Sequence, residues 1–304
     1  AFTLADGFTY IEAALADGQD IDKFAPRLSF FFNAHQDFFE EIAKYRAARR
    51  IYADRMKNKY KAKDERSWLL RFHSQTAGCS LTAQQPENNI VRTAFEGLSA
   101  VLGGTQSLHT NSMDETLALP SEKAVLIALR TQQIIAHETG VANTIDPLAG
   151  SYFVEAMTNK MEEDAEKYLA EIERRGGVLK GIEEGYFQRE IARAAYRYQQ
   201  EIERKERIIV GINDYVMENE RITIPILRID ETVEPEQTAF VKKIRTERDN
   251  DKVKRTLEDL AVAAKGNGNT LKAILDCVRV YATEGEIIDT LRPIFGEYTE
   301  PPII

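Results

Sequence analysis

Short strand-like stretches alternate with longer stretches of helical periodicity in the first half of the chain. Residues 25–32 and 67–75 are rich in aromatic and aliphatic side chains, and residues 105–111 follow two glycines. These patterns predict three short strands. Each strand is followed by apolar residues at helical spacing. The alternation is typical of a parallel sheet with crossover helices, either an open doubly wound sheet or part of an eight-stranded barrel.

The predicted helices carry start and stop signals. Pro86 opens the helix after the second strand and Gly103 ends it, while Ser121 caps the helix after the third strand. The first seven residues resemble the last turn of a helix with Gly7 as its cap, so an earlier part of the fold is expected upstream. The inward face of the helix after the first strand is predicted to consist of Phe38, Ile42, Tyr45, Tyr52 and Met56.

The second half is predicted to be mainly helical. Residues 158–177, capped by Thr158 or Asn159, and residues 186–206 form amphipathic or charge-rich helices. Residues 207–216 resemble a short strand, and an irregular segment with Pro225 and Pro235 follows. Further helices are predicted at 249–269, at 269–282 and after a capping box made by Thr283 and Glu286. These helices either form a subunit interface or docking surface, or they only pack around the barrel.

All three strands become polar as they end. The polar residues are Asn33, His35 and Gln36 after the first strand, His73, Ser74, Gln75 and Thr76 in the second, and His109, Thr110 and Asn111 in the third. A strand buried on both faces would instead be apolar throughout. Because barrels build their sites at the carboxyl ends of strands, we expect these side chains to surround a large polar ligand.

Composition and motifs exclude several classes of function. The chain has 304 residues and a net charge of -9, which argues against general nucleic-acid binding. It contains no apolar run long enough to span a membrane. Cys79 and Cys277 suggest no disulfide or zinc site, so a reducing cytoplasm is the expected compartment. No nucleotide-binding glycine motif, metal-ligand spacing or catalytic triad is evident, and no residue is assigned a catalytic or metal-binding role.

Three sequence strings carry a resemblance to a known family. They are APRLSFFF, RFHSQTAGCSLTAQQPENNIVRTAFEGLSAVLGGTQSLHTNSMDE and DPLAGSYFVE. They are similar to the large subunit of the adenosylcobalamin-dependent acyl-CoA mutases, of which methylmalonyl-CoA mutase is the best-known member. The resemblance extends over nearly the whole chain and is strongest from residue 25 to residue 155.

The resemblance implies an α/β fold that forms the C-terminal part of a (β/α)8 TIM barrel followed by a helical extension. Residues 1–155 would hold the last three strands and helices of the barrel, and residues 156–304 the extension. The first five strands and the cobalamin-binding module, with its cobalt ligand, would lie outside this chain, which ends about where a stand-alone large subunit would end. The implied partners are the N-terminal half of the barrel and a cobalamin-binding subunit or domain, within a larger oligomer.

The resemblance also implies the ligand contacts. Arg27, Leu28 and Ser29 resemble a contact to the CoA of an acyl-CoA substrate, and Gln106 and Ser107 would line the bore that holds the pantetheine arm. For the cofactor adenosylcobalamin, Gln75 resembles a residue that faces the cobalamin. Asn111 and Glu115 are implied to contact the adenosyl ribose of the cofactor. Ala118 is implied to lie near the corrin. The family's radical chemistry needs a site that excludes water.

The acyl group stays open at the level of the sequence. Methylmalonyl-CoA mutases often have tryptophan at the position of Cys79, so a smaller side chain there favours the isobutyryl-CoA or 2-hydroxyisobutyryl-CoA mutases of the same family. A non-catalytic assembly or scaffold subunit is the alternative to an enzyme. A scaffold would not need Gln75, Asn111 and Glu115 together, which favours the enzyme.

Overall fold

A computed structural model describes residues 1–221, 224–266 and 268–300. The chain divides into two compact units, one formed by Ala1–Leu227 and the other beginning at Arg228. Within the described residues, none of the helices combines the length and the apolar character needed to cross a bilayer. The expectation that the chain ends about where a stand-alone large subunit would end concerns residues 301–304, which lie outside the described residues.

The first unit contains a parallel three-stranded sheet in the order β1-β2-β3. Its strands are β1 (Phe30–Ala34), β2 (Phe72–Thr76) and β3 (Ser107–His109). The three predicted strands are confirmed, as is the α/β class, but each begins later than predicted. Pro26 lies in a 3-10 turn at Ala25–Arg27, and a second 3-10 turn at Glu65–Trp68 takes up the start of the other apolar stretch.

Helices form most of the first unit. They are α1 (Phe2–Ala16), α2 (Ile21–Phe24), α3 (Phe38–Asp54), α4 (Asn88–Leu102), α5 (Glu122–His137), α6 (Tyr152–Arg174), α7 (Val178–Glu183) and α8 (Tyr186–Glu203). Gly103 ends α4 and Ser121 caps α5, as predicted. The domain boundary that we predicted between residues 155 and 156 lies inside α6, and the first compact unit continues well beyond it.

The core of this unit lies between the sheet and α3. Tyr45 and Tyr52 of α3 are buried, as the helical spacing predicts, and Tyr45 stacks on Phe72 of β2 with 5.0 Å between the ring centroids. Burying a large apolar side chain stabilises a fold by about 1.5–3 kcal/mol. The Tyr45 hydroxyl donates a hydrogen bond to the Asn33 carbonyl at 2.9 Å, so the helix also fixes the backbone at the end of β1.

The local predictions for Gly7, for the start of α6 and for residues 207–216 are wrong. Gly7 does not end a helix but is buried inside α1, where Phe30 lies against it. Helix α6 begins at Tyr152 because Ser151, and not Thr158 or Asn159, accepts the capping hydrogen bond. Residues 207–216 form turns with only an isolated bridge, since the Asn213 side chain pairs with the backbone of Ile209, Ile202 and Arg207 in place of a neighbouring strand.

The second unit is helical. It contains α9 (Val233–Glu247), α10 (Asn250–Lys265), α11 (Thr270–Arg279) and α12 (Glu284–Phe295). Leu260, Cys277 and Ile287 form its buried core. The predicted helical pair and the capping box of Thr283 with Glu286 are confirmed. Pro235 does not lie in an irregular segment, because it occupies the first turn of α9, where a missing N–H breaks no helical hydrogen bond.

Candidate functional site

The two faces of the sheet differ sharply in polarity and cover. Side chains alternate between the faces along each strand. One face, toward α3 and α4, carries buried or half-buried side chains such as Phe32, Phe72 and Ser74. The other, which we call the open face, carries exposed or half-buried side chains; these are Phe31, Asn33, His73, Gln75, Ser107 and His109.

The register places the open-face residues in two rows across the strands. Phe31, His73 and Ser107 form one row, and Asn33, Gln75 and His109 form the next. Within the first row, His73 Nδ1 lies 2.7 Å from Ser107 Oγ, and the rings of Phe31 and His73 are 5.1 Å apart. The predicted Ser107 is thus oriented by His73, which we expected among the polar side chains around the ligand but to which no ligand contact was assigned.

A chain of hydrogen bonds joins β2 to the turn after β3. The Asn111 backbone N–H donates to Thr76 Oγ1 at 2.9 Å, and the Thr76 hydroxyl donates to the Asn111 side-chain oxygen. The Asn111 amide then donates to Glu115, whose other oxygen accepts the Ser112 N–H at 2.7 Å. Asn111 and Glu115, predicted as a pair from the sequence, are therefore in direct contact.

The Glu115 carboxylate keeps spare hydrogen-bonding capacity. Each of its oxygens has two lone pairs, and each accepts one hydrogen bond from the protein. The side chain is 25% exposed, and the imidazole Nε2 of His109 lies 4.0 Å away. The carboxylate can therefore accept further hydrogen bonds from a ligand with adjacent hydroxyl groups without giving up its hold on the turn.

The remaining cofactor candidates lie at the same edge of the sheet. Gln75 is half-buried between Asn33 and His109. Ala118 is half-buried in the turn before α5, where its N–H donates to the Asp114 carbonyl at 3.0 Å. Asp114 is fully buried, and its carboxylate accepts the Ser121 N–H at 2.9 Å. This carboxylate fixes the turn that carries Glu115 and Ala118.

The predicted CoA contacts lie at the opposite edge, where the strands begin. Arg27 and Ser29 are exposed, while Leu28 packs against the core. Arg71 donates a hydrogen bond to the Pro26 carbonyl at 2.7 Å and so fixes the turn that presents Arg27. Because β1 has five residues, the two edges are about 16 Å apart. A long ligand lying along the open face would contact both.

Gln106 has a more local role than we expected. Its side-chain oxygen accepts the Phe72 N–H at 2.7 Å, and its amide donates to the Gly104 carbonyl at 2.9 Å. The side chain thus joins the start of β3 to β2. Its neighbour Ser107 reaches the open face.

Arg71 was missed as a contributor to the site, and His73 and Thr76 were expected only among the polar side chains at the strand ends, without a contact of their own. The alternation of Arg71, His73 and Gln75 is visible in the sequence and predicts that they share one face of β2. The partner of each residue was not predictable, because Pro26, Ser107 and Asn111 come from other segments of the chain.

Comparison with known proteins decides the family. The family model for methylmalonyl-CoA mutase matches residues 1–297. The chain belongs to this family. It is 50% identical over 304 residues to a methylmalonyl-CoA mutase of Rhizobium meliloti, with 99% of this chain and 42% of that protein covered. It is 46% identical over 304 residues to the 2-hydroxyisobutanoyl-CoA mutase large subunit of Aquincola tertiaricarbonis, with 100% of this chain and 54% of that protein covered.

A human relative shows the same pattern of partial coverage. The mitochondrial methylmalonyl-CoA mutase of Homo sapiens is 46% identical over 300 residues, which is 98% of this chain and 40% of that protein. The chain thus spans about half, or less, of the length of the curated relatives it matches. The expected incompleteness of the barrel agrees with this coverage.

Proposed function

We propose that this chain is part of the catalytic subunit of an adenosylcobalamin-dependent acyl-CoA mutase, an isomerase that rearranges the carbon skeleton of an acyl-CoA. The open face supports the proposal most strongly. Gln75 and Ser107 lie on this face, Asn111, Glu115 and Ala118 lie in the turn beyond its carboxyl edge, and Arg27 and Ser29 lie at the opposite edge, where the strands begin. The reaction proposed is of the methylmalonyl-CoA/succinyl-CoA type.

The side chains at the carboxyl edge suit adenosylcobalamin chemically. Asn111 and Glu115 would hold the adenosyl ribose, since the carboxylate can accept from both ribose hydroxyls while retaining Asn111 and Ser112. Gln75 would face the cobalamin and Ala118 would lie near the corrin. The cofactor, when bound, supplies the radical chemistry that no protein side chain provides. The chain's own residues bind, orient and shield the reactants from water.

The side chains at the opposite edge suit CoA. Arg27 would supply a cation, and Ser29 and Ser107 would supply hydroxyls along the pantetheine arm. His73 would hold the Ser107 hydroxyl in place through the 2.7 Å contact. Gln106 would keep the start of β3 aligned with β2.

The open face would become the lining of a bore once the barrel is closed. Closure needs the five strands that we assign to the N-terminal half, supplied by another part of the protein or a partner chain. A cobalamin-binding subunit or domain would cover the carboxyl edge, within a larger oligomer in the cytoplasm. The similarity to a 2-hydroxyisobutanoyl-CoA mutase keeps that acyl group, and isobutyryl-CoA, as the second candidate substrates.

Reconstitution tests the proposal. The chain is co-expressed with the N-terminal part of a relative's large subunit and a cobalamin-binding module, and the complex is assayed with adenosylcobalamin and the three acyl-CoA substrates. We expect isomerisation by the complex and none by the chain alone. Turnover by the chain alone would refute the proposal that strands from outside this chain are needed to complete the barrel. A stable complex that binds adenosylcobalamin but isomerises none of the substrates would favour the scaffold alternative.

A further inference from the structure

A cavity of about 410 Å³ lies beside α4, the helix that covers the other face of the sheet. Its walls are mainly apolar and are formed by Val91 and Phe95 of α4 and by residues 208–210. Val91 and Phe95 are 53% and 60% exposed, so the cavity opens to solvent. Pockets of this size and character bind small molecules when a few polar groups provide orientation.

The cation at this cavity, Arg92, has no ion-pair partner among the residues that the structure describes. Its guanidinium donates to Thr82 Oγ1 at 2.9 Å, to Asn89 Oδ1 at 2.8 Å and to the Val210 carbonyl at 2.8 Å. All three acceptors are neutral. Within residues 1–221, 224–266 and 268–300, no carboxylate forms an ion pair with Arg92. Partial burial lowers its pKa, and an anion at this place would offset that cost.

Glu96, one helical turn further along α4, does not neutralise Arg92. It is 2% exposed, and within the described part of the chain neither carboxyl oxygen has a hydrogen-bond partner of normal geometry. Burial raises its pKa to about 7, although the nearby Ser80 hydroxyl and Ala77 N–H partly oppose the shift. The ionisable groups around it are Glu41, Tyr45, Arg92 and Tyr198. Below about pH 7 the carboxyl is therefore mostly neutral and leaves the positive charge of Arg92 uncompensated.

We propose that this cavity is a second ligand site, separate from the open face, that binds a small organic carboxylate with a short aliphatic body. Arg92 would hold the carboxylate, and the apolar side chains would enclose the aliphatic part. The amides of Gln36 and Asn88, which also line the cavity, would provide further hydrogen bonds. With the Glu96 carboxyl, which also lines the cavity, held protonated, a cation, two amides and apolar walls are complementary to this class of ligand and to neither a cation nor a fully apolar molecule.

Calorimetric titration of the full chain at about pH 6 tests the proposal with three matched probes: 3-methylbutanoate, 3-methylbutanamide and 3-methylbutylamine. We expect the carboxylate to bind about tenfold more tightly than the amide, the difference of one charge-assisted hydrogen bond. The amine should not bind. Equal binding of all three probes, tighter binding of the amine, or no binding of the carboxylate at millimolar concentration would overturn the proposal.

Two pairs of variants locate the binding. Arg92→Gln should abolish the preference for the carboxylate, whereas Arg130→Gln, at an exposed arginine of α5, should leave it unchanged.

Because Arg92 also donates a hydrogen bond to the carbonyl of Val210, its loss can disturb the fold. Val91→Asp and Val91→Lys, at an exposed position in the wall, avoid this difficulty. The aspartate should weaken carboxylate binding and the lysine should not. Identical affinities for these two variants would contradict an anion site.

Discussion

At the residue scale, the candidate site uses side chains that also hold the fold together. Glu115 accepts hydrogen bonds from Asn111 and Ser112, and Thr76 exchanges two with Asn111. Such a chain fixes the geometry of the carboxylate before any ligand arrives, which reduces the cost of binding. It also means that a substitution at the site acts on stability and on binding together, so the two effects have to be measured separately.

Glu115→Gln should impair catalysis more than folding in the reconstituted enzyme. The amide has one oxygen where the carboxylate has two, and its NH2 group faces a donor from either Asn111 or Ser112. A loss of about 1 kcal/mol in stability is expected. Poor placement of the cofactor by ~1 Å can cost on the order of a hundredfold in turnover. Turnover at saturating adenosylcobalamin is compared with the thermal midpoint. If the turnover of Glu115→Gln stays within about twofold of the parent's and Asn111→Ala also leaves turnover unchanged, the predicted ribose contact is wrong.

Glu96→Gln should remove a pH dependence from the stability of the first unit. The pKa of Glu96 is about 7 in the folded chain against 4.5 for the ordinary group. The folded chain holds this proton more tightly than the unfolded chain does, and this difference stabilises the fold. The stabilisation is fully present below about pH 4.5 and is lost as the pH rises through about 7. At about pH 8 the variant should be more stable than the parent by on the order of 2–4 kcal/mol.

Urea unfolding between about pH 5 and pH 8 measures the effect of Glu96. Glu138→Gln, at an exposed carboxylate after α5, is the matched control and should keep the parent's pH profile. Parallel profiles for Glu96→Gln and the parent chain would show that the buried carboxyl does not hold a proton across this range.

At the scale of elements, α1 packs on the sheet through a glycine. A Cβ atom built on Gly7 would lie 2.5 Å from Phe30 Cε1 and 2.7 Å from Phe30 Cζ. The Phe30 ring itself packs against Phe32 and Tyr52, with 5.4 Å between the centroids of Phe30 and Tyr52. The ring therefore cannot move aside freely. Close approach of helix and strand, not a turn, explains the glycine.

Gly7→Ala should destabilise the first unit despite the higher helix propensity of alanine. The gain in propensity is about 1 kcal/mol, whereas overpacking a core costs about 1–3 kcal/mol. Gly285→Ala in α12 is the matched comparison, because no described atom apart from its chain neighbours and the backbone of its own helix lies within 4 Å of the added Cβ. It should be neutral or stabilising. Thermal unfolding measures both, and a stabilised Gly7→Ala chain would contradict the packing of Phe30 on α1.

At the scale of the whole molecule, the residues that the structure describes form two separate hydrophobic cores. One lies in the first unit between the sheet and its helices, and the other consists of Leu260, Cys277 and Ile287. Arg248 supports the second core. It is 6% exposed and forms a two-pronged ion pair with Glu286, which lowers the pKa of that carboxyl to about 2. Two cores without shared residues predict two unfolding transitions.

Arg248→Ala should lower only the transition of the second unit. Loss of the charged hydrogen bonds to Glu286 and of the 2.8 Å bond to the Tyr281 carbonyl should cost about 1.5–3 kcal/mol. Differential scanning calorimetry resolves the transitions. Arg255→Ala, at an exposed position of α10, should change neither. A single transition that shifts as a whole with Arg248→Ala would show that the two units unfold together.

The sequence by itself determined most of the local structure and the family. Helices and strands follow from the spacing of apolar residues and from caps such as Ser121 and Thr283, which act within one or two turns of the chain. The family follows from strings that contain Gln75, Asn111 and Glu115. The edge of the sheet at which these three residues lie was also predictable, because parallel strands end on the same side.

Only the tertiary structure decided which residues meet. The contacts of His73 with Ser107 and of Arg71 with Pro26 join residues tens of positions apart. The burial of Glu96 depends on α3 and on the turn after β2, so its raised pKa could not be predicted from the sequence of α4. Asn213 likewise ended a predicted strand by pairing with backbone groups that only the folded turn brings near. Local periodicity selects elements, whereas burial and pairing depend on the packing of distant segments.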